Sequence, residues 1–340
     1  MKKLLVIIST MIMASVCAYA QDYTFSNHNI VPFSLNPAMA GNANAIRLGL
    51  NFRQQWPTLG NKYNTLRASY DQNFYKRMCS AGLSYALDSY AGGIYRTNEI
   101  GLVYAHTFQL KSGKSNKFST NATDGIFLRL GVQATYFINT FDVNKVSFGD
   151  QYDLGTGNRY LPKSTEEFEH DRVNFADFNV GAALCVQGFL TLGAAMYHLS
   201  EPENGFQKTG NNILHRRFAA HVNYIKDLEL SNGLFGRNSI SDTYLFANAS
   251  YQKQDVWKQL DFGVGGFFSP FMAGISLKSD LSEVSYVSFM VGTSIKNFQA
   301  YYVYDLFTSQ RKKNGSWSHE IALIYIIRTV ERYPCPVVYW

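Results

Sequence analysis

Beyond its first twenty positions, this chain of 340 residues has no apolar run near the ~18 residues that a membrane-spanning helix requires. The longest later run, Ile321 to Ile327, is the size of a strand. Helical membrane spans are therefore excluded, and the chain either stays in water or crosses a bilayer with strands. Charge is also scarce, at 16% of residues. The net charge of +6 falls to +4 without Lys2 and Lys3, too mild to imply nucleic acid. Cysteine is almost missing: Cys17 lies in the leader, and Cys79, Cys185 and Cys335 remain. An odd number cannot form a complete disulfide framework. Cys79 and Cys185, in strand-like segments, read as small apolar fillers. There is no P-loop and no Gly-x-Ser-x-Gly elbow. His215 and His221 share a face, but six strand residues put them ~20 Å apart, too far for one metal ion. The two carboxylates in 149–155 do not match a calcium loop and read as turn formers. No catalytic, cofactor or metal residue is therefore expected, and no cofactor.

What the chain does have is an export signal and alternation. Lys2 and Lys3 precede the apolar stretch Leu4 to Val16, and Ala18-Tyr19-Ala20 fits a small-x-small cleavage site. Cleavage between Ala20 and Gln21 is expected. Cys17 would suit a lipoprotein only if a small residue preceded it, and Val16 does not qualify. From Ile46 to Arg328, segments of about ten residues alternate apolar with polar or small, each followed by a turn. Ile126, Leu128, Leu130, Val132, Ala134 and Tyr136 share one parity; Arg129, Gly131, Gln133 and Thr135 take the other. Tyrosine (23), phenylalanine (25) and glycine (26) are abundant, as a barrel's girdles, lipid face and turns require. The expected fold is all-β: a transmembrane antiparallel up-and-down β-barrel of about fourteen strands in the outer membrane. An exported sandwich also alternates. The strands here exceed its usual ~5–6 residues, and the polar faces carry lone charges (Arg47, Arg53, Arg67, Asp71, Asp261) that suit a lumen. The expected division is signal peptide 1–20, N-terminal extended segment 21–43, barrel 44–330 and tail 331–340. An even strand count puts both barrel ends in the periplasm. Connections 56–64, 89–96, 139–175, 199–213 and 308–317 then face outward, while 111–124 and 228–241 are unusually long periplasmic turns.

Several motifs follow one another in order. Asn36-Pro37-Ala38-Met39-Ala40-Gly41 comes first, then Arg53-Gln54-Gln55-Trp56, Ser69-Tyr70-Asp71 and Asp88-Ser89-Tyr90-Ala91-Gly92. Phe148-Gly149-Asp150-Gln151, His198-Leu199-Ser200-Glu201-Pro202, Tyr304-Asp305 and Gly315-Ser316-Trp317-Ser318-His319-Glu320-Ile321 complete the set. In this order they resemble the PorP/SprF family of type IX secretion system membrane proteins of Bacteroidetes, over essentially the whole mature chain. Met39 departs from the aromatic common at its position, and two prolines separate Trp340 from the last strand. The resemblance implies a non-enzymatic outer-membrane component that aids export or surface attachment of a secreted protein such as an adhesin, with gliding motility as one setting. It implies outer-membrane lipid, a secreted cargo and periplasmic or lipoprotein components of the apparatus as partners. Two other readings stand beside it: a passive channel or small-molecule transporter, and a structural adaptor tying periplasmic complexes to the outer membrane. Of the residues, Asn36-Pro37 is expected to fix a turn where the chain enters the wall. Trp56 is expected at a membrane–water boundary. Asp71 and Arg67 are expected to pair across the lumen, and His198 and Pro202 to pin a loop.

Overall fold

The computed structural model describes residues 22–28, 30–43, 45–58, 62–74, 77–111, 125–148, 151, 170–186, 189–206, 213–228, 243–281, 284–308 and 317–328. The expected cleavage site at Ala20 and Gln21, the motif residue Asp150 and the terminal Trp340 lie outside these.

Fourteen strands close a barrel. They are β1 (Ala45–Gln55), β2 (Tyr63–Phe74), β3 (Cys79–Tyr90), β4 (Tyr95–Lys111), β5 (Ile126–Phe141), β6 (Arg172–Val186) and β7 (Leu190–Tyr197). The second half is β8 (Arg217–Asp227), β9 (Thr243–Gln254), β10 (Trp257–Phe268), β11 (Phe271–Ser279), β12 (Val284–Ile295), β13 (Phe298–Phe307) and β14 (Trp317–Arg328). Each strand pairs antiparallel with its sequence neighbours, and β1 pairs β14 from Ala45↔Arg328 to Gln55↔Ser318, so no edge is left open. Among the described residues no helix is long and apolar enough to cross a membrane.

The alternation translates directly into faces. On β5, Leu130, Val132 and Tyr136 stand outward and exposed, while Arg129, Gln133 and Thr135 are buried inside. The same holds on β1, where Leu48, Leu50 and Phe52 face out and Arg47, Asn51 and Arg53 face in. The exposed apolar band is what lipid covers.

The expected extended segment at 21–43 takes a different form. Its described residues carry two 3-10 turns, Pro32–Ser34 and Pro37–Met39, and lie inside the barrel. Proline at the start of each turn supplies the fixed φ and needs no N–H partner. The turn at Pro37 is capped by Asn36, whose Oδ1 accepts from the Ala38 amide at 2.9 Å. Asn36-Pro37 thus builds a turn inside the lumen, against the inner face of the wall, and not where the chain enters the wall.

The lumen is layered. Toward the end where β1 begins and β14 finishes (the lower end), Ile30, Val31 and Phe33 pack with Val103, Phe246, Phe267, Tyr301, Ile324 and Ile326. This explains why Ile321 to Ile327 is apolar on both parities: one faces lipid and the other faces the segment. Toward the opposite, upper end the inner face turns polar, with Arg53, Glu99, Asp177, Lys278, Asp305 and Glu320 buried.

Three neighbouring strands make room for Asn36-Pro37-Ala38 by carrying glycine. A Cβ on Gly131 would meet the Ala38 nitrogen at 2.2 Å, and one on Gly181 would meet Asn36 Oδ1 at 2.0 Å. On Gly193 it would meet Asn36 Nδ2 at 2.6 Å and His221 Nε2 at 2.2 Å. The backbone of the segment therefore sits flush on the wall. Gly181→Ala is expected to lower stability by ~1–3 kcal/mol, the usual range for overpacking. Urea unfolding in lipid vesicles measures it, with the lipid-facing Ala182→Gly as the control that leaves the cradle intact.

Candidate functional site

Among the described residues, the motif residues converge at the interior contact between the N-terminal segment and the wall. Reading upward from the lower end, Gly41, with φ of 62° in the region that favours glycine, donates its N–H to Asp71 Oδ2 at 2.7 Å. Asp71 is held by its cross-strand neighbour Arg47 at 2.9 Å. The expected pairing of Asp71 with Arg67 does not form: adjacent strands supply Arg47 at closer range, and Arg67 approaches Glu99 instead, at 3.7 Å. Arg129 donates to the Ala40 carbonyl and to Ser80. Asn36 donates to the Ala182 carbonyl at 2.9 Å and meets His221 Nε2 at 3.1 Å.

Above His28 the wall holds the segment by charge. Arg53 donates to the Thr24 carbonyl and, at 2.8 Å, to Asp305 Oδ2. Lys278 donates to the Phe25 carbonyl at 3.1 Å while paired with Asp261 at 3.2 Å. Glu320 accepts the Ser26 N–H at 2.6 Å, and the Ser26 hydroxyl donates to Asp305 at 2.6 Å. The Tyr23 hydroxyl donates to Glu99 at 2.6 Å.

At the upper mouth His198, with φ of 58°, stands between two carboxylates: Nδ1 is 2.8 Å from Asp177 and Nε2 is 2.8 Å from Asp22. Arg217 approaches Asp22 at 3.1 Å, and Ser200 donates to Asp177 at 2.7 Å. Burial works against the imidazolium, but Asp22 and Asp177 outweigh it and raise the His198 pKa to about 9. Burial likewise opposes the charged Asp22, yet His198 and Arg217 hold its carboxyl well below the usual carboxylate range. His198 thus ties the end of the described segment to the start of connection 198–216.

The other motif residues are spread over the barrel. Trp56 packs at the upper rim on Tyr63, ring centroids 5.2 Å apart, and on Phe307 at 6.3 Å. Asp88 accepts from Thr65 at 2.6 Å, and Gly92 (φ 69°) turns between β3 and β4. Ser69 faces Gly49, and Tyr70 points outward to Gln72. Gln151 is buried and accepts the Phe148 N–H at 2.9 Å. Leu199 bonds back to the Phe178 carbonyl and Leu214 to that of Pro202, bracing connection 198–216. On the outer face Tyr302 stacks on His319, with its hydroxyl 2.7 Å from Nδ1, and Tyr304 meets the same ring at a tilt.

The sequence put Arg129 and Gly131 on the inner parity without a role, and Asp22, Glu99, Asp177, Lys278, Gly181 and Gly193 were not singled out. Lone charges on the inner parity of greasy strands were the available signal for four of them. Nothing in the alternation marks Asp22. Among the described residues no group of three or more His, Cys, Asp or Glu could hold a metal ion.

A closed barrel with a lipid-facing apolar band and a folded N-terminal segment in its lumen is an outer-membrane β-barrel protein. The chain belongs to the family described as type IX secretion system membrane protein PorP/SprF, whose family model matches residues 17–325. It is an outer-membrane component of that secretion system, and the family is one of secretion-system membrane barrels and not a known enzyme family. No curated protein matches the chain. Among solved structures it is similar to the toluene transporter TodX of Pseudomonas putida, with a TM-score of 0.44, 7% identity and coverage of 92% of this chain and 96% of that one. It is also similar to the translocator domain of the autotransporter NalP from Neisseria meningitidis, with a TM-score of 0.35, 12% identity and coverage of 83% and 88%. Likenesses of this degree assign neither substrate nor partner.

The His198 tie has a defined pH window. A raised folded pKa stabilises fully below the unfolded value of 6.5 and loses its effect as pH climbs through about 9. The depressed Asp22 acts oppositely, stabilising above 3.8 and failing only in strong acid. The wild type is therefore expected to exceed His198→Gln in thermal midpoint near pH ~6, with the lead vanishing near pH ~10. Melting curves across that range check this; a lead independent of pH contradicts it.

Proposed function

We propose that this barrel aids the export or surface retention of a secreted protein, an adhesin being the kind of cargo that fits, with gliding motility as one setting. The observation that carries the reading is the filled lumen. With residues 22–43 bound to the wall from mouth to base, the interior is occupied by the chain's own backbone. The working surfaces are then the two ends. The end holding both barrel termini is read as periplasmic, which makes the upper mouth face outward. The strand ends joined by the two longest connections, 142–171 and 198–216, lie there, and these connections are the ones proposed to meet a cargo. Connections 112–125 and 228–242, at the lower end, are long for periplasmic turns and would meet components of the secretion apparatus.

Deleting the gene and comparing surface proteomes tests this, with loss of one or a few secreted proteins from the cell surface expected. An unchanged surface proteome sinks it. Planar bilayers separate it from a passive channel: the wild type is expected to conduct poorly, and a form lacking residues 22–43 to conduct steadily. Solute-selective conductance by the wild type, without any protein partner, would favour the channel.

A further inference from the structure

We propose that the upper half of the lumen is a slot for an extended polypeptide, filled here by residues 22–28 of the chain itself and open to exchange with an extended segment of a secreted partner entering from the upper mouth. The identity of the partner as a secreted protein rests on the function proposed above; the slot does not.

The wall reads main chain. Arg53 takes the Thr24 carbonyl, Lys278 takes the Phe25 carbonyl at 3.1 Å, and Glu320 takes the Ser26 N–H at 2.6 Å. At the mouth Gln254 accepts the Asp22 N–H at 3.3 Å. Any peptide presents these main-chain groups, while the side-chain contacts of Asp22 with His198, Tyr23 with Glu99 and Ser26 with Asp305 add a preference for polar residues at those three places. Residues 22–25 adopt neither helix nor strand and the chain bends at Ser26, so the side-chain and main-chain contacts above, and not strand pairing, hold the occupant.

The slot also survives being emptied. Arg53 keeps Asp305 at 2.8 Å, Lys278 keeps Asp261 at 3.2 Å and Glu320 keeps Asn51 at 3.4 Å. Departure of the segment leaves Arg53 and Lys278 paired with carboxylates and Glu320 with the Asn51 amide, and lets water reach all three, so the burial that makes a lost partner costly is relieved at the same time. The chain's own residues do not fill the slot completely. A cavity of about 30 Å³ flanks Ser26, Asn27 and His28, lined in part by Asp261, whose Oδ1 is unpartnered although the residue is 5% exposed. That is room for a water or two, with a polar group waiting for a donor.

The lower half behaves differently. Its apolar cluster and glycine cradle fit one backbone closely, which anchors residues 30–43 while residues 22–28 exchange. The tie of Asp22 to His198 places the start of connection 198–216 where a docking partner can loosen the segment.

The direct test uses the full barrel lacking only residues 22–28, held in lipid nanodiscs. The probe is a fluorescent synthetic peptide with the sequence of residues 22–28. Saturable binding is expected. Methylating the peptide nitrogen at the Ser26 position should weaken binding at least ~10-fold, the scale of a hydrogen bond to a charged group. Replacing the side chains at the Thr24 and Asn27 positions should change it less than ~3-fold. Absent or non-saturable binding, or indifference to N-methylation, overturns the slot. Because the deletion itself could impair folding, the full-length Ser26→Cys/Ser318→Cys form provides a second reading. Both native hydroxyls bond Asp305 Oδ2, so the two thiols should crosslink on oxidation. Excess peptide should lower the crosslink yield several-fold; an unchanged yield overturns exchange. Peptide binding without any change in the surface proteome would remove the proposed cargo role and leave the slot standing.

Discussion

Asp305 accepts hydrogen bonds from Ser26 and Ser288 at 2.6 Å each, from Arg53 at 2.8 Å and from Ser318. One buried carboxylate thus joins β1, β12, β13, β14 and the N-terminal segment at the seam where the barrel closes. A buried charge is tolerable only when its lone pairs are met, and deleting one partner of such a set costs ~3–5 kcal/mol. The polar main chain of residues 22–28 has the matching problem, since backbone groups away from water must also find partners. Wall and segment solve each other's difficulty, and the layering of the lumen follows from that.

Where the segment is threaded by charge, the inner face is Arg, Lys, Asp and Glu; where it is wedged by shape, the inner face is apolar or glycine. The lower layer closes the barrel like a soluble core, and the upper layer leaves ionic contacts that water or another peptide can replace. On the function proposed above, such an interior leaves the two ends, with the slot at the upper mouth, as the working surfaces. The long connections sit at those ends, and His198 couples one of them to the segment within.

The barrel itself was legible. Strict alternation on strands such as β5 fixed which side chains meet lipid, because a period of two leaves no freedom of face. The final apolar run was legible as a strand but not as one greasy on both sides, since the reason lies in Phe33 and its neighbours, some 290 residues away. Arg53, Asp305 and Glu320 could be placed inward by parity, yet their partners could not, because long-range pairing depends on barrel closure. Arg67 and Asp71 show the same limit: they share a face, but register gives Asp71 to Arg47. Asn36-Pro37 stood out as a motif. Its position in the lumen was hidden because only the three glycines of β5, β6 and β7, seen together, reveal the space it needs.

The central claim is that residues 22–43 are an integral part of the folded interior. Hydrogen–deuterium exchange on the protein in native outer-membrane vesicles tests it most directly. The amides of Ser26, Ala38 and Gly41, bound to Glu320, Asn36 and Asp71, should exchange as slowly as those of the barrel strands, with Ser26 the fastest of the three. Exchange of all three at the rate of an exposed peptide, while the strands stay protected, would contradict the account.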